Sequence, residues 1–416
     1  MKIHNRWFQL CASVIAMIMI ANLQYAWTMF VEPIRTATGW KLSDVQLAFT
    51  LFILFQTWVQ PLDGWLIDRL GPRALITVAG VLCGTGWAAI GSVHTLPQLY
   101  ASYIVAGVGA AFVYSGCIGS ALKWFTDQRG LAAGIIAAGF GGGTALFIPV
   151  IAQLLRAQGY SGALLWTGIV QGTIIVLVAQ FLRSAPPAPK KAGPVAAPTN
   201  ARRTAEQFST GQMLRTPHFY LLYLMFVMVA TGGLMITAQA GPIARSWKIS
   251  AAFLTTALTL NPIANGASRI FWGWVSDYLG RERTMSIAFF LQAIFLLLVV
   301  TVGRDSGTLF ALTLVLVFFT WGEIYSLFPS TSGDYFGTAH ATSNYACLYT
   351  AKGVATTMAG FIAAALFERL GSWSFAFYIS AAMALVGGFM SLALRSFPLP
   401  VNRAAALSPL SPATAK

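Results

Sequence analysis

Apolar residues in this chain run in stretches of about 20, the length that crosses a bilayer as a helix, and polar residues fall in short breaks between them. Read this way, the pattern predicts helices at 7–31, 44–67, 74–93, 97–122, 131–155 and 163–183. A second set follows at 217–245, 251–275, 284–303, 307–332, 340–366 and 372–395. Backbone polar groups in lipid must be paired within the segment, so runs this long are helices. The first run shows no small-residue cleavage site and continues through Asn22, Gln24 and Tyr25 to Val31, which reads as an uncleaved first helix.

The longest break, 184–216, opens with the proline-rich stretch from Ser184 to Pro198, whose fixed φ angles and missing donors cannot hold a regular helix. It divides the spans six and six. The predicted fold is therefore an all-α membrane protein of twelve transmembrane helices in two pseudo-symmetric six-helix bundles, 1–183 and 217–400. A linker, 184–216, joins them, and a low-complexity tail, 401–416, is expected to be disordered. With both ends on one side, seventeen Lys and Arg lie on that side, among them Arg69, Lys123, Arg202 and Arg283, against seven on the other. Cytoplasmic loops carry the excess of Lys and Arg, so both termini are predicted in the cytoplasm of a bacterial inner membrane.

Composition narrows the class. Of 416 residues, 57% are hydrophobic and 9% charged, against about 25% charged in soluble domains. A soluble enzyme, a disulfide scaffold and a disordered chain are excluded. The formal charge of +14 invites a nucleic-acid reading, but the basic residues flank apolar runs and form no basic domain. Cys11, Cys83, Cys117 and Cys347 all sit inside apolar runs and read as packing residues. No metal-ligand spacing, nucleophile–base pair or nucleotide loop occurs, so no cofactor or metal is expected. Gly139, Gly141, Gly142 and Gly143, with Pro149, read as close packing and bending of the fifth helix.

An internal repeat stands out. Gly64-Trp65-Leu-Ile-Asp68-Arg69-Leu70-Gly71 follows helix 2, and Gly273-Trp274-Val-Ser-Asp277-Tyr-Leu279-Gly280 follows helix 8; five of eight positions are identical. Repeats placed alike in two halves are a transporter signature. Gly allows a tight turn and Asp accepts from backbone donors and nearby Arg, so Asp68 and Asp277, with Arg73 and Arg281, are candidates for a cytoplasmic gate. The motif resembles the loop signature of the major facilitator superfamily. Within it, the chain resembles the oxalate:formate antiporter family from Asn5 to about Pro398. The segments that carry this are Leu23-Gln24-Tyr25-Ala26-Trp27, Lys123 to Leu131, Met213 to Pro217, Phe271 to Asp277, Thr320-Trp321-Gly322, Leu327 to Thr331 and Ala351-Lys352.

Three ionisable residues fall deep in predicted spans: Arg269, Glu323 and Lys352. A charge at a helix centre costs about 2.5–3.5 kcal/mol on insertion scales, so each calls for a reason. Lys352 lies near the midpoint of its span, where a structural pair with Glu323 is one reading. Arg269 stands six residues inside the predicted end at 275, within reach of snorkelling. The functional reading is that both cations face a central cavity. Arg offers a planar fork and Lys a point charge, which together suit a dicarboxylate. The resemblance implies the same: the family's paired Arg and Lys bind oxalate, and they match Arg269 and Lys352.

Polar aromatics supply the surroundings: Gln24 and Tyr25 in helix 1, Tyr114 in helix 4, and Trp321 and Tyr325 one turn apart in helix 10. The resemblance places them around the substrate. Glu323, about 200° round the helix from Trp321 and Tyr325, is expected to face away and is a possible proton-coupling site. The sequence thus points to a secondary transporter, expected as a monomer, that exchanges small carboxylates, oxalate for formate, by alternating access. The alternative is a proton-coupled carrier of lactate- or formate-like monoacids.

Overall fold

The computed structural model describes residues 5–186 and 202–401; the start of the linker and nearly all of the predicted tail lie outside the described residues. Among these residues the chain is helical, with no strand.

The first half holds α1 (6–38), α2 (42–70), α3 (72–92), α4 (Leu96–Trp124), α5 (129–158) and α6 (160–179). The second holds α7 (Pro217–Ser246), α8 (Ala251–Leu279), α9 (281–303), α10 (307–336), α11 (341–370) and α12 (Ser374–Ser396). Each predicted span has its helix, with ends shifted by a few residues. α5 and α6 run on almost without a loop, divided by Gly159 at φ 69°.

Several spans are broken, and the breaks have local causes. α1 divides at Ala26. α2 divides at Val59, where Pro61 in the next turn lacks an N–H to donate back. α10 divides at Gly322–Glu323. α11 divides at Thr350, whose Oγ1 donates to the Cys347 carbonyl at 2.8 Å, and it carries a π turn at Met358–Ile362. Among the described residues eight helices, with 129–179 taken as one, are long and apolar enough to cross a membrane; α2, α8 and α11 fall outside that set. Two of those three carry the predicted cations.

Within each half the helices pack on one another, α3 on α4 and α6 in the first, α9 on α12 and α8 on α10 in the second. The halves meet where α5 lies on α8 and where α2 and α4 lie on α11. Small residues make the approach possible. A Cβ added at Gly64 would stand 2.9 Å from the Ala346 Cβ and 3.0 Å from the Thr342 carbonyl of α11. Gly130 and Gly273 pack so closely that a Cβ on either would collide with the carbonyl of the other.

Both ends of the described chain lie on one face, called here the terminal face. The predicted linker runs on past the proline-rich stretch. Its second part docks there: the Thr204 and Phe208 amides donate to the Asp334 and Phe336 carbonyls at 2.9 and 3.0 Å. Thr210–Met213 then forms one helical turn capped by Ser209.

Candidate functional site

α8 carries Asn261, Asn265 and Arg269 at four-residue spacing, so all three stand on one face. The helix continues to Leu279, ten residues past Arg269 and about 15 Å along the axis. Arg269 is 0% exposed. It does not snorkel, because its guanidinium is tied down in the interior. Nε and Nη2 donate to Asn265 Oδ1 at 3.0 and 2.6 Å, and Nη1 donates to the Ala137 carbonyl of α5 at 2.7 Å. Gly141 makes room for it, since a Cβ there would sit 2.9 Å from Arg269 Cζ.

Lys352 follows directly on the Thr350 break of α11 and is 2% exposed. Its Nζ donates to the Tyr349 hydroxyl at 3.1 Å. The two cations are linked through rings: Tyr325, which packs on Arg269, lies 6.3 Å from Tyr349, which packs on Lys352. Among the described residues neither cation has a carboxylate within ion-pair distance, so the pairing of Lys352 with Glu323 is not formed. Two like charges therefore share one buried region.

Aromatic rings from both halves enclose them. The Tyr325 ring lies under the Arg269 guanidinium at 4.3 Å, and Lys352 Nζ stands 5.3 Å from the Tyr349 ring and 6.0 Å from the Phe140 ring. Phe140 in turn meets Tyr25 and Tyr114, each with centroids 5.4 Å apart. Tyr114 lies 4.8 Å from Tyr349, and Tyr325 lies 5.6 Å from Trp321, as their one-turn spacing predicts. Of the residues expected here, Tyr25, Tyr114, Trp321 and Tyr325 thus join the two cations. Gln24 is buried in α1 with its Oε1 unpaired, and the described contacts of Arg269 and Lys352 do not include it.

Glu323 sits at the α10 break, 0% exposed, with neither carboxylate oxygen hydrogen-bonded. Neighbouring Gly322 abuts Asn265 and Ser268 of α8, so the break lies beside the Arg269 face.

At the terminal face the two repeat motifs do the same thing in each half. Gly71 and Gly280 turn the chain with φ of 82° and 92°, values an L side chain rarely adopts. Each motif Asp then caps the start of a helix in the opposite half. Asp68 accepts from the Ser343 amide and hydroxyl of α11 at 2.9 and 2.6 Å. Asp277 accepts from the Gly130 and Leu131 amides of α5 at 3.1 and 2.9 Å. A carboxylate there satisfies orphan N–H groups and meets the positive end of the helix dipole.

The ionic partners differ from expectation in one respect. Arg281 pairs with Asp277 at 2.8 Å as predicted, but Asp68 takes Lys123 at 2.6 Å. Arg73 is exposed and spends its donors on Gln180 Oε1 at 3.0 and 3.1 Å, within its own half. Its described bonds do not include Asp68, because α3 starts at Pro72 and points Arg73 toward the end of α6.

Asp334 was not foreseen. It is buried at the end of α10 and holds three guanidiniums: Arg129 of the first half, Arg203 of the linker at 3.2 Å, and Arg281 at 2.7 Å. Scarcity was its only mark: the chain has 12 acidic residues, but most lie at the ends of spans, so position did not single Asp334 out. Asn265 and Tyr349 were also missed, though each is one turn from a cation on the same helix face.

The comparisons agree with this geometry. The description "Major Facilitator Superfamily" matches residues 12–239 and 221–415. The chain is 38% identical over 396 residues to the oxalate:formate antiporter of Oxalobacter formigenes, covering 95% of this chain and 92% of that one. Monocarboxylate transporter 12 of Xenopus laevis is 25% identical over 354 residues, 77% of this chain and 73% of that one. Among solved structures, the proton:xylose symporter XylE shares the fold with a TM-score of 0.74 at 13% identity, over 93% of this chain and 95% of that one. With its twelve helices in two halves, the chain belongs to the Major Facilitator Superfamily of membrane transporters.

Proposed function

We propose that this chain exchanges oxalate for formate across a bacterial inner membrane by alternating access, as a monomer with both termini in the cytoplasm. The observation that carries the reading is the pair Arg269 and Lys352, buried together without a carboxylate partner among the described residues, in a chain similar over nearly its full length to an oxalate:formate antiporter. A buried charge without a counterion is costly, so these two are placed for an anion that comes and goes.

Oxalate spans two cations, one carboxylate on the Arg269 edge and one on Lys352. Formate carries one carboxylate and relieves only part of the repulsion. Because like charges resist enclosure, the halves rock through the closed state more readily when an anion sits between the cations, which couples the two directions as exchange. The capped and bolted terminal face closes the cytoplasmic side, so substrate enters from the other.

Proton-coupled carriage of a monoacid is the second reading, and Glu323, buried with both oxygens unpaired, is what favours it. Counterflow in proteoliposomes separates the two. Uptake of labelled oxalate driven by internal oxalate or formate, and indifferent to an imposed pH gradient, supports exchange. Uptake of a monoacid into unloaded vesicles that follows the gradient, and is lost in Glu323→Gln, would replace it with the proton-coupled carrier.

A further inference from the structure

We infer that Asn265 is a positioning residue for Arg269, and that its being an amide sets the preference for a dianion. This rests on the proposed carboxylate exchange. A buried Arg is commonly held by a carboxylate, which fixes the fork but cancels its charge. Here the holder is neutral: Asn265 Oδ1 takes Nε at 3.0 Å and Nη2 at 2.6 Å from one turn back on α8. With Nη1 on the Ala137 carbonyl at 2.7 Å, three of the guanidinium's five N–H donors are committed. Among the described hydrogen bonds two η hydrogens are left uncommitted, and no carboxylate cancels the charge. The Tyr325 ring packs against the guanidinium at 4.3 Å from Cζ.

Asn265→Asp keeps the shape and the acceptor but neutralises the cation, whereas Asn265→Ala keeps the charge and frees the fork. Half-saturation for oxalate and for formate is measured in proteoliposomes for wild type and both variants, with thermal unfolding of each. Asn265→Asp is expected to raise the oxalate value about tenfold or more and the formate value far less, because only the dianion needs both charges. Asn265→Ala is expected to raise both together. An unchanged oxalate-to-formate ratio in Asn265→Asp overturns the role of Asn265, as does equal loss of both acids in step with a fall in thermal stability. A wild type that carries neither acid would instead remove the exchange reading itself.

An independent set of contacts points to a second device: residues 202–216 are a strap that latches the terminal face shut, and Arg203 is its latch. The strap is fastened to the second half at several points. Besides the Thr204 and Phe208 bonds, Gln207 Oε1 accepts from the Thr338 and Ala339 amides at 2.8 Å each, and Asn344 Nδ2 donates to the Phe208 carbonyl at 3.0 Å. Arg203 reaches the first half, donating to the Thr126 and Asp127 carbonyls at 2.6 and 3.0 Å while pairing with Asp334. When the halves part, the strap stays with the second half and the Arg203 bonds break. Arg202 is the internal control, since among the described residues its bonds go to the Arg395 and Phe397 carbonyls of the second half, at 2.6 and 2.8 Å.

Thr342, buried under Gly119 at the seam, becomes the reporter as Thr342→Cys in a chain whose four native cysteines are replaced. Its rate of reaction with a water-soluble thiol reagent, in detergent and without substrate, measures opening of the terminal face. Arg203→Ala is expected to raise that rate about tenfold, Arg203→Lys less, and Arg202→Ala not at all. Equal rates in Arg203→Ala and Arg202→Ala overturn the latch, and because no transport is read, the result is separate from the identity of the substrate.

Discussion

The two halves share a clasp at the terminal face but not a buried charge. Gln60 and Arg269 stand at the same place in the repeated pattern, four residues before Gly64 and Gly273, and Gln56 and Asn265 stand eight before. In the second half the pair closes on itself and holds a charge. In the first half both glutamines are fully buried with their amide groups unpaired. At the terminal face the symmetry is restored: Asp68 and Asp277 each cap a helix of the opposite half. Rocking about a central axis needs matched clasps, so the moving parts are duplicated. Binding an anion needs positive charge, which is costly in a bilayer. That charge is confined to one half, and the first half contributes rings, Tyr25, Tyr114 and Phe140, that wall it in.

The strongest way to break this comparison is to give α8 the side chain of α2. Arg269→Gln is expected to lower oxalate exchange by about a hundredfold or more, since a buried charged contact and its bidentate geometry are both lost. Retained exchange would mean that the charge asymmetry is not what binds substrate. Lys352→Gln comes next, with a loss of about thirtyfold for oxalate and a smaller one for formate. Its hydrogen bond goes to Tyr349, so no carboxylate is left stranded by the change, and full oxalate exchange in this variant would sink the two-cation site.

How much of this was legible in the sequence follows from the range of the forces involved. The spans were readable because each apolar run answers locally to the bilayer, and the motif because Gly71 and Gly280 need positive φ whatever surrounds them. Arg269 and Lys352 were conspicuous because a charge in an apolar run is expensive on its own account. Asn265 and Tyr349 were within reach of helix spacing but drew no notice, being uncharged. The Arg73 bonds were not legible because a motif fixes the turn and not the direction of the next helix's side chains; that direction is set by Gln180, more than a hundred residues away. Asp334 and the strap depended on contacts between distant segments. The proline-rich start of the linker gave no hint that Arg203 to Phe208 would dock.

The clasps offer a milder test. Asp277→Asn and Asp68→Asn each weaken a cap and are expected to slow exchange about fivefold, in the same sense. Asp277→Asn should be the larger, because the Arg281 it releases is fully buried and also holds Asp334, whereas the Lys123 released by Asp68→Asn is partly exposed. Opposite effects on exchange rate, measured side by side, would show that the two clasps are not equivalent.

The smallest expected effect sharpens the comparison most. Gln60→Met removes the amide that mirrors Arg269 while keeping its length. Since neither amide atom of Gln60 has a partner, the change leaves nothing unsatisfied and relieves a buried polar group, so stability should hold or rise. Exchange should stay within about twofold, because in the proposed mode both carboxylates are met by cations of the second half. Transport measured at limiting and at saturating oxalate decides the matter. A rise in half-saturation of more than about tenfold would mean that the Gln60 amide reaches the substrate during the cycle. The first half would then contribute a polar contact at the position equivalent to Arg269, and the binding site would be as two-sided as the gate, differing between halves in charge alone.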